Sequence, residues 1–577
     1  MQVAFLETPS LWIIGALVAY GFAYYVYAKW VDEHIWEVSE KRVTPAHMYL
    51  DGVEYFPVSR YVLYGFQFKS IAALGPILGP FIAVAYGWLP ALIWIVIGNM
   101  FIGWVQDYST IMLTVRNEGR SMGPLVYNAI GERGRKILLA YLLFYLLIIS
   151  AVFIYLVSLF WNVFPGSFIA TIGIIITGLI VGELLYKYKA NIFGVTALAI
   201  ILTLISVGIG TAVAWPPKNF FGPWSVQVWS IILAIILFVG AIVPLPKFIT
   251  PMNFVAVFPA IGGVLLIIFG ALISPATGIK LIQPAFKGWY VENVGPIFPI
   301  LFVSIACGAI SGWHSLVSTS TTGKQLDVET DARPVGAGAM LTEGLLATSA
   351  LAAYMVVSPD LIAKGKISAF VNGATLLTAP FLGGDASKAY LLTFFSIFLV
   401  IYAITVQALV TRYWRVFSAE LFRGSWAWLG NKYIATATGL ILPIIFALTG
   451  SWINLWIYFG GSNQLLAAMA LTLVAFYVAK MNKPSWYSAV PAAFMTVVTL
   501  SALLWEIYTF GLSTFGIKKP LAKPPLTQYP GAAWALNALF FVIGIILFVL
   551  GIYMSYALWN AYFKAKRGEV EAKAVSP

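Results

Sequence analysis

Residues 137–163 contain no charged side chain and are long enough to cross the ~30 Å hydrocarbon core of a bilayer as a helix. Comparable runs recur at 11–30, 61–89, 91–115, 168–186, 192–214, 226–243, 254–273, 297–317, 337–357, 390–409, 435–457, 464–479, 490–508 and 533–556. A backbone surrounded by lipid must satisfy its own hydrogen bonds. The runs therefore predict an all-α polytopic membrane protein with about fifteen transmembrane helices. With 61% hydrophobic and only 10% charged residues, a soluble chain is excluded.

The same counts narrow the chemistry. A single cysteine, Cys307, excludes an internal disulfide and any multi-thiolate metal or iron–sulfur site. Three histidines (His34, His47 and His314) leave little for haem or zinc, so no cofactor or metal is expected. No nucleophile–base pair or phosphate-cradling loop stands out, which argues against an enzyme. A passive channel is the other rival; it would favour rings of polar residues and no paired helix breaks.

Basic residues fall on every second connection: Arg116 to Lys136, Lys187 and Lys189, Lys247, Lys324 and Arg333, Arg412 to Lys432, Lys480 and Lys483, and Lys564 to Arg567. The net charge of +12 is thus assigned to membrane topology and not to nucleic acid. The C-terminus is placed in the cytoplasm and the N-terminus outside, in a plasma or inner membrane. No basic residue precedes the first run, so 11–30 reads as a retained span, and 568–577 as a disordered polar tail. The layout is an N-terminal helix and linker (1–60), a transporter core (61–409), and peripheral helices with packing or oligomer contacts (410–577).

Glycine and proline recur at membrane depth. Gly75, Pro76, Gly79 and Pro80 ("GPILGP") interrupt the second run, and Gly240, Pro244 and Pro246 interrupt the seventh. An offset of five spans sets the two breaks in opposite orientations, as an inverted five-plus-five repeat over 61–214 and 226–409 requires. The alternative is that Pro244 and Pro246 simply end a span. On the paired-break reading, Gly75, Pro76, Gly79, Pro80 and Gly240 expose backbone groups to a substrate.

The blocks "GPILGPFIAVAYGWLPALIWIVIGNMFIGWVQDYSTIMLTVRNEGRSMG" at 75–123, "GAISGWHSLVSTSTTGKQLDVETDARPVGAGAMLTEGLLA" at 308–347 and "FGGSNQLLAA" at 459–468 closely resemble the carbon starvation protein A family. The resemblance covers most of the chain. It implies a leucine-transporter-like fold of the amino acid-polyamine-organocation superfamily and secondary transport of peptides or of pyruvate-like carboxylates. It also implies proton coupling, with sodium as the alternative ion, and it makes 297–317 the eighth helix of a ten-helix core. Relatives commonly carry His-Asp where this chain has Gln106-Asp107, and a small residue where it has Lys69.

Asp107 lies nine residues before Arg116, ~14 Å deep if that arginine marks the membrane edge. A carboxylate there is costly unless paired, protonated or facing a wet cavity, so it is a coupling candidate, with a structural ion pair as the alternative. Glu343, ten residues past Arg333, is a second candidate at ~15 Å. Lys69 either lies inside the membrane, where it would bind a substrate carboxylate, or snorkels to the surface. Ser311, His314, Ser315, Ser318 and Thr319 form a hydroxyl-rich stretch suited to a substrate, a hard cation or a proton, or simply to close helix packing. Asn463 and Gln464 are read as structural, Glu183 and Glu506 as interfacial, and 324–334 as a solvated loop or a cytoplasmic gate.

Overall fold

The computed structural model describes residues 5–243, 247–292, 294–422, 424–518 and 530–569. Pro244, Pro246, Arg423, Lys519, Lys523 and nearly all of the expected C-terminal tail lie outside the described residues. The described residues are helical nearly throughout, with one small antiparallel hairpin among them, β1 (Tyr290–Val291) and β2 (Gly295–Pro296), pairing Tyr290 with Pro296 and Val291 with Gly295.

Among the described residues twelve helices are long and apolar enough to cross a membrane, and a bent pair makes thirteen. In chain order the spans are α1 (Ser10–Trp36), the bent α2 (Arg60–Ile71 and Gly75–Tyr86), α3 (Trp88–Val115), α4 (Met122–Val163), α5 (Ser167–Leu185), α6 (Ile192–Val213), α7 (Gly222–Ile242) and α8 (Ile249–Leu272). Then come the interrupted α9 (Ile297–Ser304 and 312–325), which is outside that count, α10 (Glu329–Met355), α11 (Gly384–Leu421), the shorter apolar helix α12 (Lys432–Ala447), also outside it, α13 (Trp452–Lys480), α14 (Trp486–Thr514) and α15 (Ala533–Lys566). The run at 435–457 is not one span: α12 stops at Ala447, and α13 begins at Trp452 and absorbs the rest. Together with the interruption of α9, this leaves twelve or thirteen candidate spans among the described residues where about fifteen were expected.

Two further expectations change. Helix α7 runs unbroken to Ile242, so Gly240 lies in its last turn, packed against the Phe248 ring. The second interruption falls instead in α9, at 305–311, inside a segment expected to be a continuous eighth helix. The spans after Leu409 are not all peripheral either: α13 is buried along almost all of 455–479, whereas α1 and α6 carry many outward apolar side chains.

Three of the central spans contain a π-turn, one wide turn with a surplus residue: Asn99–Gly103 in α3, Ser318–Thr322 in α9 and Arg333–Gly338 at the start of α10. Such turns are uncommon and cluster at functional sites.

Candidate functional site

The interruption of α9 frees backbone carbonyls at membrane depth, and α3 and α13 supply donors for them. From α13, Gln464 Nε2 donates to Phe302 O (2.9 Å) and Ile305 O (3.1 Å), Asn463 Nδ2 to Ala306 O (2.7 Å), and Trp456 Nε1 to Ser304 O (3.1 Å). From α3, Asn99 Nδ2 reaches Gly308 O (3.2 Å) and Gln106 Nε2 reaches Ser311 O (2.8 Å). Asn463 Oδ1 in turn accepts from Trp313 N (2.9 Å) and Tyr145 OH (3.0 Å). Irregular backbone is tolerated inside a membrane only when it is received in this way. Asn463 and Gln464 thus hydrogen-bond across helices, as expected, and Gln106 also caps the break.

The break in α2 is shorter. The helix bends by 43° across 72–74 and resumes at Gly75. "GPILGP" is thus helical and not unwound: Pro76 sits in the first turn, where its missing N–H leaves no bond unmade. Its glycines serve close approach. A Cβ on Gly79 would stand 2.8 Å from Ile305 Cα, and one on Gly75 would collide with Cys307. The two broken spans therefore touch through their glycines. Trp313 Nε1 also donates to Ser70 O (2.7 Å), and Gln67 bonds both Ser318 Oγ (3.1 Å) and Thr322 Oγ1 (2.5 Å) in the π-turn of α9.

Lys69 lies just before the α2 break and is fully buried, so it does not snorkel. Its ammonium donates to Thr405 Oγ1 of α11 (2.7 Å) and to Ala72 O in the break (3.3 Å), with the Tyr402 ring 4.4 Å away.

Asp107, His314 and Glu343 meet at the centre, each with no exposed surface. His314 Nδ1 is 3.1 Å from Asp107 Oδ2, and its Nε2 is 3.1 Å from Glu343 Oε2, within ion-pair range but without the alignment of a hydrogen bond. Lys69 and Glu343 lie within electrostatic reach of each other. The imidazole thus bridges α3 and α10, and two carboxylates face one lysine and one histidine. With all four ionised the charges cancel, and a net buried charge is avoided. Of the neighbouring hydroxyls, Ser315 Oγ and Thr319 Oγ1 turn back on their own helix, donating to Gly312 O (2.6 Å) and Ser315 O (2.7 Å), whereas Ser311 Oγ donates to Asn463 Oδ1 of α13 (3.2 Å).

At one end of the bundle the loop 324–334 is packed rather than solvated. Glu329 is 1% exposed and pairs with Arg116 (2.7 Å) and Arg42 (3.0 Å), while Asp331 pairs with Arg60 (3.2 Å). Arg333 stands 3.5 Å from Asp32, whose Oδ1 accepts from Tyr108 OH at 2.5 Å. At the rim Lys483 pairs with Glu37, and this hydrogen bond holds the Glu37 carboxyl below the usual range. Glu183 is exposed beside Lys187, as an interfacial residue should be, whereas Glu506 is buried.

All three members of the triad are thus brought together from positions the sequence singled out. Gln67, Asn99, Tyr402 and Thr405 were missed, since a lone polar residue in an apolar run is an ordinary feature of membrane helices. Cys307 was counted but not placed.

These features define a multi-pass membrane protein with a closed polar centre between two broken spans. The family model for the carbon starvation protein CstA matches residues 9–364 and 360–502, and the chain belongs to that family. The chain is 32% identical over 390 residues to the pyruvate/proton symporter BtsT of Escherichia coli strain K12, an alignment covering 65% of this chain but only 53% of that one. The peptide transporter CstA of Bacillus subtilis strain 168 is 26% identical over 595 residues, covering 95% of this chain and 97% of that one. The crystal structure of MhsT in complex with L-phenylalanine aligns with 87% of this chain and 99% of its own at 13% identity and a TM-score of 0.44.

Proposed function

We propose that the chain is a secondary active transporter that moves a small carboxylate or a peptide together with a proton, by alternating access. The observation that carries this is the fully buried Asp107–His314–Glu343 array at the junction of the two broken spans. Intramembrane ionisable residues facing a bundle interior mark ion and substrate pathways.

The interrupted spans α2 and α9 stand an odd number of crossings apart, so they run in opposite directions, as an inverted leucine-transporter-like repeat requires. Their positions support repeats at 60–272 and 297–480 in place of 61–214 and 226–409, with α6 and α7 inserted in the first. The relatives' printed activities support a proton and either pyruvate or a peptide as cargo. Both cargoes carry a carboxylate, and Lys69 beside the α2 break is the cation placed to receive it. The packed loop 324–334 closes the side expected to be cytoplasmic.

The charge balance gives the coupling its logic. A monoanion entering an array whose four charges cancel is compensated by one proton taken up by Asp107 or Glu343, so transport of a monoanion is electroneutral. The test uses purified protein in liposomes, given radiolabelled pyruvate or a dipeptide with and without an inward proton gradient. Accumulation should follow the gradient and be lost in Asp107→Asn; gradient-driven uptake unchanged in that variant overturns the coupling role.

A further inference from the structure

We propose that the centre of the bundle holds an inhibitory site for a borderline-soft divalent cation of the zinc class, formed by Cys307, His314 and Glu343. One ligand atom from each of these buried residues lies within 4.8 Å of the others. The three come from three elements: the unwound stretch of α9, its second half and α10. A thiol, an imidazole and a carboxylate are donors that zinc and cobalt(II) accept, and three protein ligands leave the fourth position of a tetrahedron for water. Counting cysteines and histidines could not show such a set, because each residue type contributes one member.

The surroundings match those of a metal centre. Asp107 holds Nδ1 of His314 at 3.1 Å, which leaves Nε2 to face the site. This carboxylate–histidine pairing orients a ligating imidazole and raises its basicity. Asn463 Nδ2 lies 3.8 Å from Cys307 Sγ and would donate to the thiolate that metal binding leaves after the thiol proton departs. Both carboxylate oxygens of Glu343 are buried without a hydrogen-bond partner, and Nε2 of His314 likewise. Gly75 opposite Cys307 keeps the thiol position clear, since a side chain there would overlap the sulfur.

Zinc–nitrogen and zinc–sulfur bonds of about 2.0 and 2.3 Å place tetrahedral ligands roughly 3.5 Å apart; His314 Nε2 and Glu343 Oε2 already stand 3.1 Å apart, so a cation must chiefly draw in the Cys307 sulfur, by ~1 Å. Bound metal therefore staples the unwound stretch to α10 and occupies the faces of His314 and Glu343 that the coupling reading uses. Zinc would enter while the centre is open and then hold it closed. The binding stands on the geometry alone; the inhibition rests on the transport reading above.

Cobalt(II) tests the two separately. Added to the folded full-length protein in detergent, it should give a near-ultraviolet thiolate-to-cobalt charge-transfer band at one equivalent, displaced by zinc. Cys307 is the chain's sole cysteine, so the band reports this site and no other. It should vanish in Cys307→Ser, vanish or become non-stoichiometric in His314→Ala and Glu343→Gln, and need about tenfold more cobalt in Asp107→Asn. Size-exclusion profiles and unfolding temperatures establish that each variant is folded. In liposomes, zinc should slow wild-type uptake about tenfold or more, as expected of a ligand selecting one of two states, and leave Cys307→Ser uptake at its own zinc-free rate. No band with folded wild-type protein, or a band of unchanged stoichiometry in His314→Ala and Glu343→Gln, overturns the site. Stoichiometric binding with undiminished uptake overturns the inhibition. Absence of any uptake without zinc counts against the transport reading and leaves the cobalt result to stand.

Discussion

The two broken spans are held open by different means. The seven-residue interruption of α9 is received by neutral side chains, chiefly Asn463 and Gln464 of α13 with Asn99 and Gln106 of α3. The bend in α2 is three residues long and is met by a charge, the ammonium of Lys69, and by one indole from α9. Neutral caps satisfy backbone without adding a charge to be desolvated, so they favour a fixed structure. A buried lysine is expensive to keep and is retained where its charge is used. On the transport function we propose, the α9 break is the scaffold and the α2 break the working part.

Substitutions can break that contrast or sharpen it. Asn463→Leu strands Ala306 O and the N–H of Trp313 together, and should cost roughly 3 kcal/mol or more, read as a lower unfolding temperature in detergent. Gly75→Leu forces a side chain into Cys307 and should cost about 1–3 kcal/mol by overpacking, with uptake falling in step with folded protein. Lys69→Met should leave stability within about 1–2 kcal/mol, because losing one buried hydrogen-bonding group is offset by removing a desolvated charge. Its uptake of carboxylate should nevertheless be abolished. A Lys69→Met protein that unfolds while Asn463→Leu remains intact would invert the assignment of scaffold and working part.

The smallest effect belongs to the rim. The Glu37 carboxyl is held below its ordinary value by the Lys483 hydrogen bond. Its contribution to stability is therefore present at neutral pH and lost as the pH falls below the usual glutamate range and through the folded-state value. Glu37→Gln should be indistinguishable from wild type in unfolding temperature at pH 7, as expected for an exposed pair.

Most of the architecture was legible, because apolar length is a local property that each span carries by itself. The breaks were legible only in part. Pro76 and Pro80 draw attention to "GPILGP", yet Pro76 stands in a first turn, which marks where a helix begins as readily as where one fails, and Pro80 is carried inside the helix. The longer break at 305–311 contains no proline at all; it is made by donors on α13 more than 150 residues away, which no local pattern records. Asp107 and Glu343 were readable from their depth, since charge in an apolar run is conspicuous, and His314 from the hydroxyl-rich stretch that holds it. Their meeting was not, because it depends on three spans crossing at one point. The burial of Lys69 likewise depended on where α2 starts, and the solvated appearance of 324–334 hid ion pairs to the distant Arg42, Arg60 and Arg116.

The π-turns bear on a different matter, the rotational phase of the helices. Each span carrying a member of the triad has one within about a turn and a half of that residue: Asn99–Gly103 before Asp107, Ser318–Thr322 after His314, and Arg333–Gly338 before Glu343. A surplus residue rotates everything beyond it by about 100° relative to an unbroken helix. The side chains on either side of each turn therefore belong to separate helical wheels, and one span can present a polar stripe to the centre and another to the closed end without a continuous polar face between them. Deleting a single residue from one of these turns would change no composition, yet it would turn one stripe away from its partners.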